Sequence, residues 1–368
     1  MDLNPLKDIN YYFCTQNEGY LKIMNDAEMT LKIAGKEVGH GPLILAPMEE
    51  VTNPPFRKFC KRYGADWLYS EFVSADALVR SIQKTVRKLT IEEEERPVTI
   101  QIYGRFIDSM VEAAKIVETV APDFIDLNFG CPVKRVAAKG AGAGMLRDIP
   151  LMVEMARQVV NAVRVPVTAK TRLGWDADHI IIDEVAERLQ DVGISALAIH
   201  GRTRSQMYTG EADWEPIARV KQNPRIQIPI IGNGDIDSPE RAREAFDRYG
   251  VDGLMIGRAS IGKPWIFQQI KHYLQTGERL PEWTVAEQIR VIKEQIDLSM
   301  AWLDETRGLF HMRRHMACMF KGLPHFREKR IEMLRAPDRK TLWGVFDQIE
   351  ERWGNRDALP MVNGKNEE

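Results

Sequence analysis

The chain has 368 residues, a formal net charge of −2, and 44% hydrophobic against 28% charged residues. This composition is typical of a globular protein, and the length accommodates a barrel of about 250 residues plus a smaller domain. A nearly neutral chain does not bind nucleic acid through its overall charge, so such a role would need a local basic patch. No apolar run approaches the roughly 18 residues of a membrane span, and the first residues lack the basic-then-apolar order of a signal peptide. We therefore expect a cytoplasmic protein without a membrane segment.

Four cysteines, at positions 14, 60, 131 and 318, lie far apart and form no CxxC pair. This spacing favours neither a zinc site nor a disulfide framework, and it is typical of free thiols in a reducing compartment. No histidine or carboxylate partner of His200 lies at ligand spacing, so we expect no metal. Cys131 is distinctive because it lies in a loop rich in glycine and basic residues, within DFIDLNFGCPVKRVAAKGAG (123–142).

Residues 1–40 are predicted to form an N-terminal extension that ends in a short entry hairpin over 32–39. From residue 42 onward, apolar or β-branched runs alternate with amphipathic segments of helical length. The eight predicted strands are 42–48, 66–72, 97–103, 124–129, 165–171, 195–201, 228–234 and 252–257. The helices predicted between them include 106–119, 151–163, 179–192 and 238–248. In the last of these, Ser238 is the expected N-cap and Pro239 the first helical residue.

Eight strands separated by helices predict parallel pairing with right-handed crossovers. The strands are continuous apolar runs, as expected when both faces are buried. We therefore assign residues 41–280 to the α/β class, as a (β/α)8 TIM barrel. A doubly wound open sheet is the alternative, but no GxGxxG motif follows the first strand.

Strand patterns stop after about residue 280. The segment 285–303 is amphipathic at helical spacing, and three more helices are predicted before about residue 353. We therefore expect the barrel to be followed by a smaller C-terminal all-helical domain over 281–355 and a disordered tail over 356–368. The glutamate run at 92–95 is interpreted as a solvated face or loop.

The carboxyl ends of nearly all predicted strands carry polar side chains, although the strand interiors are apolar. In chain order these ends are Met48, Glu71, Gln101, Asn128, Lys170, His200, Asn233 and Gly257-Arg258. Side chains at these ends of a barrel face its active site. A polar group at nearly every end indicates a large ligand that lies across the mouth.

The last two strand ends, GNGD (232–235) and GRA (257–259), predict a phosphate site. Barrels often bind phosphate there, and glycine lets backbone N–H groups approach an anion; a tight turn would explain GNGD alone. Lys170 would be costly in a core, so it should face the mouth and an anionic or electron-rich ligand. His200 fits either a structural histidine or a ligand contact. With Gln101, these residues suit flavin mononucleotide (FMN).

Seven motifs occur in order along the chain: APMEEVTNPPFR, QIYG, DLNFGCPVKRVAAKGAGAGML, KTRLGW, IHGRT, GNGDI and GRASIGKPWIF. In this order and spacing they resemble the tRNA-dihydrouridine synthases of bacterial type. The resemblance covers about residues 40–275 well and the helical region more loosely. It implies an FMN-binding barrel followed by a helical RNA-binding domain. It also implies that NADPH reduces FMN, which then reduces the C5–C6 bond of particular uridines in tRNA.

The resemblance implies roles for individual residues. Flavin contacts fall on Pro47, Met48, Glu49, Gln101, Lys170 and His200, and phosphate contacts on Asn233, Gly234, Asp235, Gly257 and Arg258. The acid is Cys131, with Asn128 orienting the uracil and Arg172 lining the same pocket. A thiol suits that role because its reference pKa of about 8.5 keeps it mostly protonated near neutral pH. Glu49 and Glu50 replace the family's usual small residues, so we expect negative charge near the flavin edge.

The C-terminal region contains a local basic patch. Residues 305–335 hold eight Lys/Arg against three Asp/Glu, with three of the seven histidines. A charged solvent face is the alternative, but beside a uridine-reducing barrel the patch predicts a tRNA surface that includes Arg313 and Arg314. Arg135 and Lys139, which follow Cys131, are predicted phosphate contacts nearer the site. The expected partners are tRNA and NADPH, with no obligate protein partner.

Three other functions fit parts of this pattern. An FMN-dependent reductase of free pyrimidines, similar to dihydroorotate dehydrogenase, needs no basic helical domain. A non-enzymatic RNA-binding protein on the same scaffold needs no flavin. A phosphosugar barrel enzyme accounts for the phosphate loops but not for Cys131 or the basic patch.

Overall fold

The computed structural model describes residues 30–356. Most of the predicted extension (1–29) and the predicted tail (357–368) lie outside the described residues. The strands are β1 Thr30–Ile33, β2 Lys36–His40, β3 Leu43–Leu45, β4 Trp67–Tyr69, β5 Val73–Ser74, β6 Val98–Tyr103, β7 Phe124–Asn128, β8 Val167–Arg172, β9 Leu197–His200, β10 Ile230–Asn233 and β11 Gly253–Ile256. The α-helices are α1 Pro54–Arg62, α2 Ala75–Val79, α3 Gln83–Val86, α4 Ile107–Glu118, α5 Lys134–Ala137, α6 Ile149–Ala162, α7 Ile182–Asp191, α8 Glu215–Gln222, α9 Pro239–Tyr249, α10 Ile266–Thr276, α11 Val285–Leu303, α12 Glu305–Met316, α13 Arg327–Arg335 and α14 Arg339–Trp353.

Eight parallel strands close into a barrel. Their order around the sheet is β3, β4, β6, β7, β8, β9, β10 and β11, and β11 pairs with β3 to close the ring. β4 pairs directly with β6, and the short β5 pairs with β6 nearer its carboxyl end. The predicted (β/α)8 barrel is confirmed, and each of the eight predicted strands overlaps one barrel strand. The structural register sets the residues of the mouth beside one another, for example Asn128 opposite Lys170 on β7 and β8.

The local predictions also hold. The four predicted helices correspond to α4, α6, α7 and α9, with ends that differ by one to three residues. Ser238 caps α9, because its side-chain oxygen accepts the backbone N–H of Arg241 at 3.3 Å, and Pro239 is the first helical residue. The predicted entry hairpin is the antiparallel pair β1 and β2.

The interior of the barrel changes from apolar to polar along its axis. Near the amino ends of the strands, an apolar cluster includes Ile33, Val38, Ile44, Trp67, Phe124 and Ile231. Since Ile33 and Val38 belong to the hairpin, the hairpin closes this end. Further along the strands lie the buried polar side chains of Thr99, Asp126 and Thr168. The carboxyl ends are therefore the polar end of the barrel, where barrels place their active sites.

The helical region, α11 to α14, has its own core that continues into the barrel. Buried Phe59 of α1 and Trp265, just before α10, belong to the same apolar cluster as the helical residues. Trp265 stacks on Trp283 with ring centroids 4.5 Å apart. Buried His315 of α12 packs against Phe56 with ring centroids 4.6 Å apart. Burial of such large side chains fastens the helical region to one side of the barrel.

The interpretation of residues 92–95 as a solvated segment is wrong for Glu95. Its side chain is fully buried and pairs with the buried Arg57 at 2.9 Å. Arg57 also donates to the carbonyl oxygens of Thr52 at 3.0 Å and Thr90 at 2.8 Å. The pair thus ties α1 to the segment before β6. Charge runs are usually exposed, so sequence alone gives no sign of which glutamate turns inward.

We expect Glu95→Gln to lower the free energy of unfolding by roughly 3 kcal/mol, because it leaves the Arg57 guanidinium buried without a counter-charge. Urea denaturation measures this change. Glu94→Gln is the matched control: Glu94 forms an ion pair with Lys58 at 2.8 Å but is 65% exposed, so its unfolding midpoint should match the parent. Equal effects of the two substitutions on the free energy of unfolding would show that the buried pair of Glu95 stabilises the fold no more than an exposed pair.

Candidate active site

The loop after β7 holds Cys131 at the barrel mouth. The Asn128 side-chain oxygen accepts the backbone N–H groups of Gly130 at 3.1 Å and Cys131 at 2.9 Å, which folds the loop back over its own strand. Cys131 is 8% exposed, and burial raises the pKa of its thiol. Gly142, at a φ of +56°, lies so close that a Cβ there would be 3.0 Å from the Cys131 Cβ. The glycine-rich segment therefore lets the chain pack directly against the thiol.

Lys170, on the neighbouring strand β8, is a partly buried cation. Among residues 30–356, no side chain or carbonyl is a hydrogen-bond or ion-pair partner of its side-chain nitrogen. Burial, together with the nearby Arg172 charge, lowers the pKa of Lys170 to about 7. An anionic or electron-rich ligand at the mouth would raise this pKa and keep Lys170 charged, so the site favours such a ligand.

Arg172, two residues further along β8, is a brace between loops. Its Nε donates to the Gly130 carbonyl at 2.8 Å, and its Nη1 donates to the carbonyls of Thr203 at 2.9 Å and Met207 at 2.8 Å. It thereby joins the Cys131 loop to the loop after β9. Burial lowers the pKa of Arg172 to about 10. The guanidinium is therefore charged at neutral pH and favours negative charge on a ligand in the pocket.

His200, at the end of β9, is buried and neutral. Burial, reinforced by the charges of Lys170, Arg172, Arg202 and Arg258, holds its pKa well below the usual range. Its Nδ1 is buried without a hydrogen-bond partner in the described part of the chain. Buried ring nitrogens are normally paired, so this atom fits a ligand contact better than a purely structural role.

The predicted phosphate end is organised by Asp235. Its carboxylate accepts two hydrogen bonds from Arg202, at 2.9 and 2.6 Å, and one from Arg258 at 2.9 Å. Asp235 is therefore an anchor for two arginines, and an anion would meet only its backbone. Gly234 has a φ of +133° and Arg258 is 53% exposed, which leaves backbone N–H groups and one guanidinium for a phosphate.

The loop after β3 carries the two unusual glutamates. The Glu49 carboxylate accepts from Lys88 Nζ at 2.6 and 2.7 Å. Arg314 of α12 donates to the Glu49 carbonyl at 2.8 Å and to Glu50 Oε2 at 3.1 Å. The negative charge expected here is thus balanced by two cations. Pro47 and Met48 are partly buried, and Met48 lies beside Gly257 of the last strand end.

Two predicted site residues are turned inward rather than toward a ligand. Gln101 is fully buried, and its amide binds Asp126 at 2.7 Å and Asn128 at 2.8 Å. Asn233 donates from its side-chain nitrogen to the Met255 carbonyl at 2.6 Å. These contacts position the strand ends, and a flavin would reach Gln101 only after a local side-chain movement.

The predicted RNA contacts differ in their surroundings. Arg135 and Lys139 are exposed beside the Cys131 loop, and no ion pair within the described chain involves either of them. Arg313 lies over the Phe310 ring at 4.1 Å and donates to the Ala336 carbonyl at 3.2 Å, while Arg314 is held on the β3 loop. The first pair is free to contact a phosphate, whereas the second pair already has partners inside the protein.

Sequence reasoning missed three residues that organise the site, Asp126, Arg202 and Lys88. Only Asp126 left a signal, as a single carboxylate inside the apolar run FIDLNF (124–129). Arg202 follows His200 in IHGRT, and its buried role depends on Asp235, 33 positions later. The role of Lys88 could not be predicted from sequence, because this lysine lies in an ordinary basic segment.

The donors at the mouth fit a flat, phosphate-bearing ligand such as FMN. An unpaired ammonium and an unpaired imidazole nitrogen lie on adjacent strands, and glycines line the phosphate end, where a side chain would intrude. Within residues 30–356, no group of three or more His, Cys, Asp or Glu side chains is placed to hold a metal ion. None of the described helices is both long and apolar enough to cross a membrane.

The family model named Dihydrouridine synthase (Dus) matches residues 44–343 of the chain. The chain belongs to the dihydrouridine synthase family. It is 43% identical over 296 residues to tRNA-dihydrouridine synthase B of Pseudomonas aeruginosa, covering 80% of this chain and 89% of that protein. It is 36% identical over 310 residues to a probable tRNA-dihydrouridine synthase of Rickettsia prowazekii, covering 83% of this chain and 94% of that protein.

Solved structures of distant enzymes share the barrel fold. A 2-naphthoyl-CoA reductase complex aligns with a TM-score of 0.53 at 12% identity, over 66% of this chain and 51% of that one. A 6-hydroxypseudooxynicotine amine oxidase gives a TM-score of 0.53 at 14% identity, over 72% and 53%. At such identities the likeness shows the fold alone.

Lys170→Met should stabilise the ligand-free protein at low pH. A lysine whose folded pKa is about 7 costs stability while it is charged in both states, and the cost disappears as pH rises from about 7 to its ordinary value near 10.5. We expect the variant to exceed the parent in free energy of unfolding by roughly 2–4 kcal/mol at pH 6, and by progressively less toward pH 10. Denaturant titrations across this range measure the difference. Lys134→Met, at an exposed lysine, is the control. If the difference in free energy of unfolding between Lys170→Met and the parent does not change with pH, the explanation is contradicted.

Proposed function

We propose that the protein reduces the C5–C6 double bond of specific uridines in tRNA to give 5,6-dihydrouridine, with FMN as cofactor and NADPH as reductant. The observation that carries the proposal is the buried thiol of Cys131, held by Asn128 at the mouth of a barrel of the dihydrouridine synthase family. The relatives named above are tRNA-dihydrouridine synthases that align over at least 80% of this chain.

The cofactor residues divide by chemistry. Lys170 and His200 would hold the electron-rich ring system, with Pro47, Met48 and Glu49 on the loop after β3 beside it. Backbone groups of Asn233, Gly234, Asp235 and Gly257, with the Arg258 guanidinium, would hold the phosphate. When bound, reduced FMN supplies a hydride to C6 of the uracil.

Cys131 supplies the proton. Once C6 has gained a hydride, the electron pair of the double bond is left at C5, with negative charge spread onto O4. The thiol gives its proton to C5, its electrons remain on sulfur, and solvent later restores the proton. A thiolate could not do this, so burial that raises the pKa of Cys131 keeps it in the active form. Arg172 and Lys170 favour the negative charge that develops on the base.

The substrate base must leave the RNA stack to reach this pocket. Arg135 and Lys139 lie on the rim directly after the thiol loop and would contact the phosphates that flank the extruded uridine. The basic patch of residues 305–335 would hold more distant parts of the tRNA. Arg314 already donates to the β3 loop, so it would couple the helical region to the flavin-binding loop as well.

The alternative functions are less well supported. A phosphosugar enzyme or a colourless RNA-binding protein gives no role to a buried thiol between Asn128 and Arg172. A reductase of free pyrimidines remains distinguishable by experiment, because it would reduce orotate or uracil without any need for tRNA.

Cys131→Ala should retain bound FMN and its reduction by NADPH while losing dihydrouridine formation by a factor of about 10² to 10⁴. Absorbance measures the flavin, and mass spectrometry of digested, previously unmodified tRNA measures the product. Cys60→Ala, at a buried cysteine of α1, is the control and should retain activity. Normal activity of the Cys131 variant would refute the assignment of the acid.

Replacing Arg135 and Lys139 together by alanine should weaken tRNA binding by about tenfold and reduce the slope of log affinity against log salt by about 2. Filter binding across a salt series measures both quantities. The control replaces Lys115 and Arg188, which are exposed on the outer helices α4 and α7, and should leave binding unchanged. A parent-like slope in the first variant would place the RNA elsewhere.

A further inference from the structure

Below the thiol loop, three side chains form a continuous chain of hydrogen bonds. Asp126 Oδ2 accepts from Gln101 Nε2 at 2.7 Å, and Gln101 Oε1 accepts from Asn128 Nδ2 at 2.8 Å. Asn128 Oδ1 in turn accepts the backbone N–H groups of Gly130 at 3.1 Å and Cys131 at 2.9 Å. The chain therefore runs from the barrel interior to the loop that carries the thiol.

The two ends of this chain fix its direction. Asp126 is fully buried and also accepts from Thr168 Oγ1 at 2.6 Å and from the Tyr69 hydroxyl. Burial raises the pKa of Asp126 to about 6, so at pH 8 the carboxylate is ionised and can only accept. The backbone N–H groups at the other end can only donate. Each amide between them must turn its NH2 group toward Asp126 and its oxygen toward Cys131.

This direction determines what a ligand meets at Asn128. The amide oxygen already accepts two N–H groups, and one of the two N–H bonds on Nδ2 is used by Gln101. The second N–H has no acceptor within the described chain. Asn128 is 6% exposed, whereas Gln101 below it is completely covered. At the barrel mouth, the only hydrogen-bonding group of this network left unused by the described residues is therefore one N–H donor of Asn128.

We propose that Asp126 is a positioning residue that sets the direction of the chain and makes Asn128 present an N–H donor to the substrate base. A carbonyl oxygen is accepted at that point, and an exocyclic amine is rejected. The selectivity part rests on the proposed function, because it takes the ligand to be a pyrimidine. Uracil carries a carbonyl at C4 where cytosine carries an amine, so a buried donor that faces C4 discriminates strongly between the two bases.

Exchanging two side chains reverses the chain without changing its shape. In Asn128→Asp alone, a carboxylate oxygen faces the Gln101 oxygen; if Gln101 turns over, its oxygen faces the Asp126 carboxylate instead. Adding Asp126→Asn removes this conflict, since Gln101 then donates to the new carboxylate at position 128 and accepts from the new amide at position 126. Thr168 and Tyr69 can still donate to the oxygen of that amide because hydroxyls rotate.

The experiment is a double-mutant cycle on thermal unfolding of the full chain at pH 8. We expect Asn128→Asp to lower the melting temperature by about 5 °C or more, Asp126→Asn to change it little, and the double variant to lie close to Asp126→Asn. In a Gln101→Met background, which removes the link, the effect of Asn128→Asp should no longer depend on residue 126. Additive effects of the two substitutions in the parent background would overturn the proposal.

A second measurement tests selectivity separately. The double variant should bind FMN with the parent's stoichiometry but form dihydrouridine in unmodified tRNA at least about 100-fold more slowly, because its only free group at position 128 is an acceptor. Parent-like dihydrouridine formation, or loss of FMN in place of loss of reduction, would overturn the selectivity part. If the parent itself forms no dihydrouridine, the proposed function fails, while the unfolding cycle still decides the role of Asp126.

Discussion

Inside a closed barrel the strand ladders already use most backbone groups, so interior polar side chains depend largely on one another for hydrogen bonds. Each buried polar side chain needs a partner, either another side chain or one of the few backbone groups left free near the strand ends. Asp126 is the centre of this constraint: Thr168, Gln101 and Tyr69 all contact its carboxylate. Gln101 links this carboxylate to Asn128, and the Asn128 oxygen in turn holds the backbone of the Cys131 loop. The position of the thiol follows from a carboxylate two strand positions below Asn128.

The electrostatics of the mouth follow from the same crowding. Lys170, Arg172 and the arginines that Asp235 anchors place several positive charges around His200 and Cys131. Burial opposes that field at the thiol and raises its pKa, while it holds the imidazole neutral. The result is a pocket with positive potential that holds an uncharged thiol. Such a pocket suits an anionic cofactor and a base that becomes negative during reduction.

Much of this arrangement could be predicted from sequence, since it depends on local patterns. The strands, the Ser238 cap and the polar strand ends are set by short-range periodicity, and the position of Cys131 by the strand that precedes it. The inward turn of Glu95, the anchoring of Arg202 by Asp235 and the attachment of Arg314 to Glu49 depend on partners 33 to 265 positions away. No local pattern distinguishes these side chains from ordinary surface charges.

The departure of Glu49 and Glu50 from the family pattern shows how such distant partners preserve a site. Two carboxylates beside a flavin edge would disfavour an anionic cofactor if they were uncompensated. Lys88 balances one of them from the barrel side, and Arg314 balances the other from the helical region. Because Arg314 also donates to the Glu49 carbonyl, the loop that carries the two glutamates contacts the helical region at a second point beside the shared apolar core. Loss of Arg314 would therefore leave Glu50 without its cation and would remove a contact between α12 and the loop after β3.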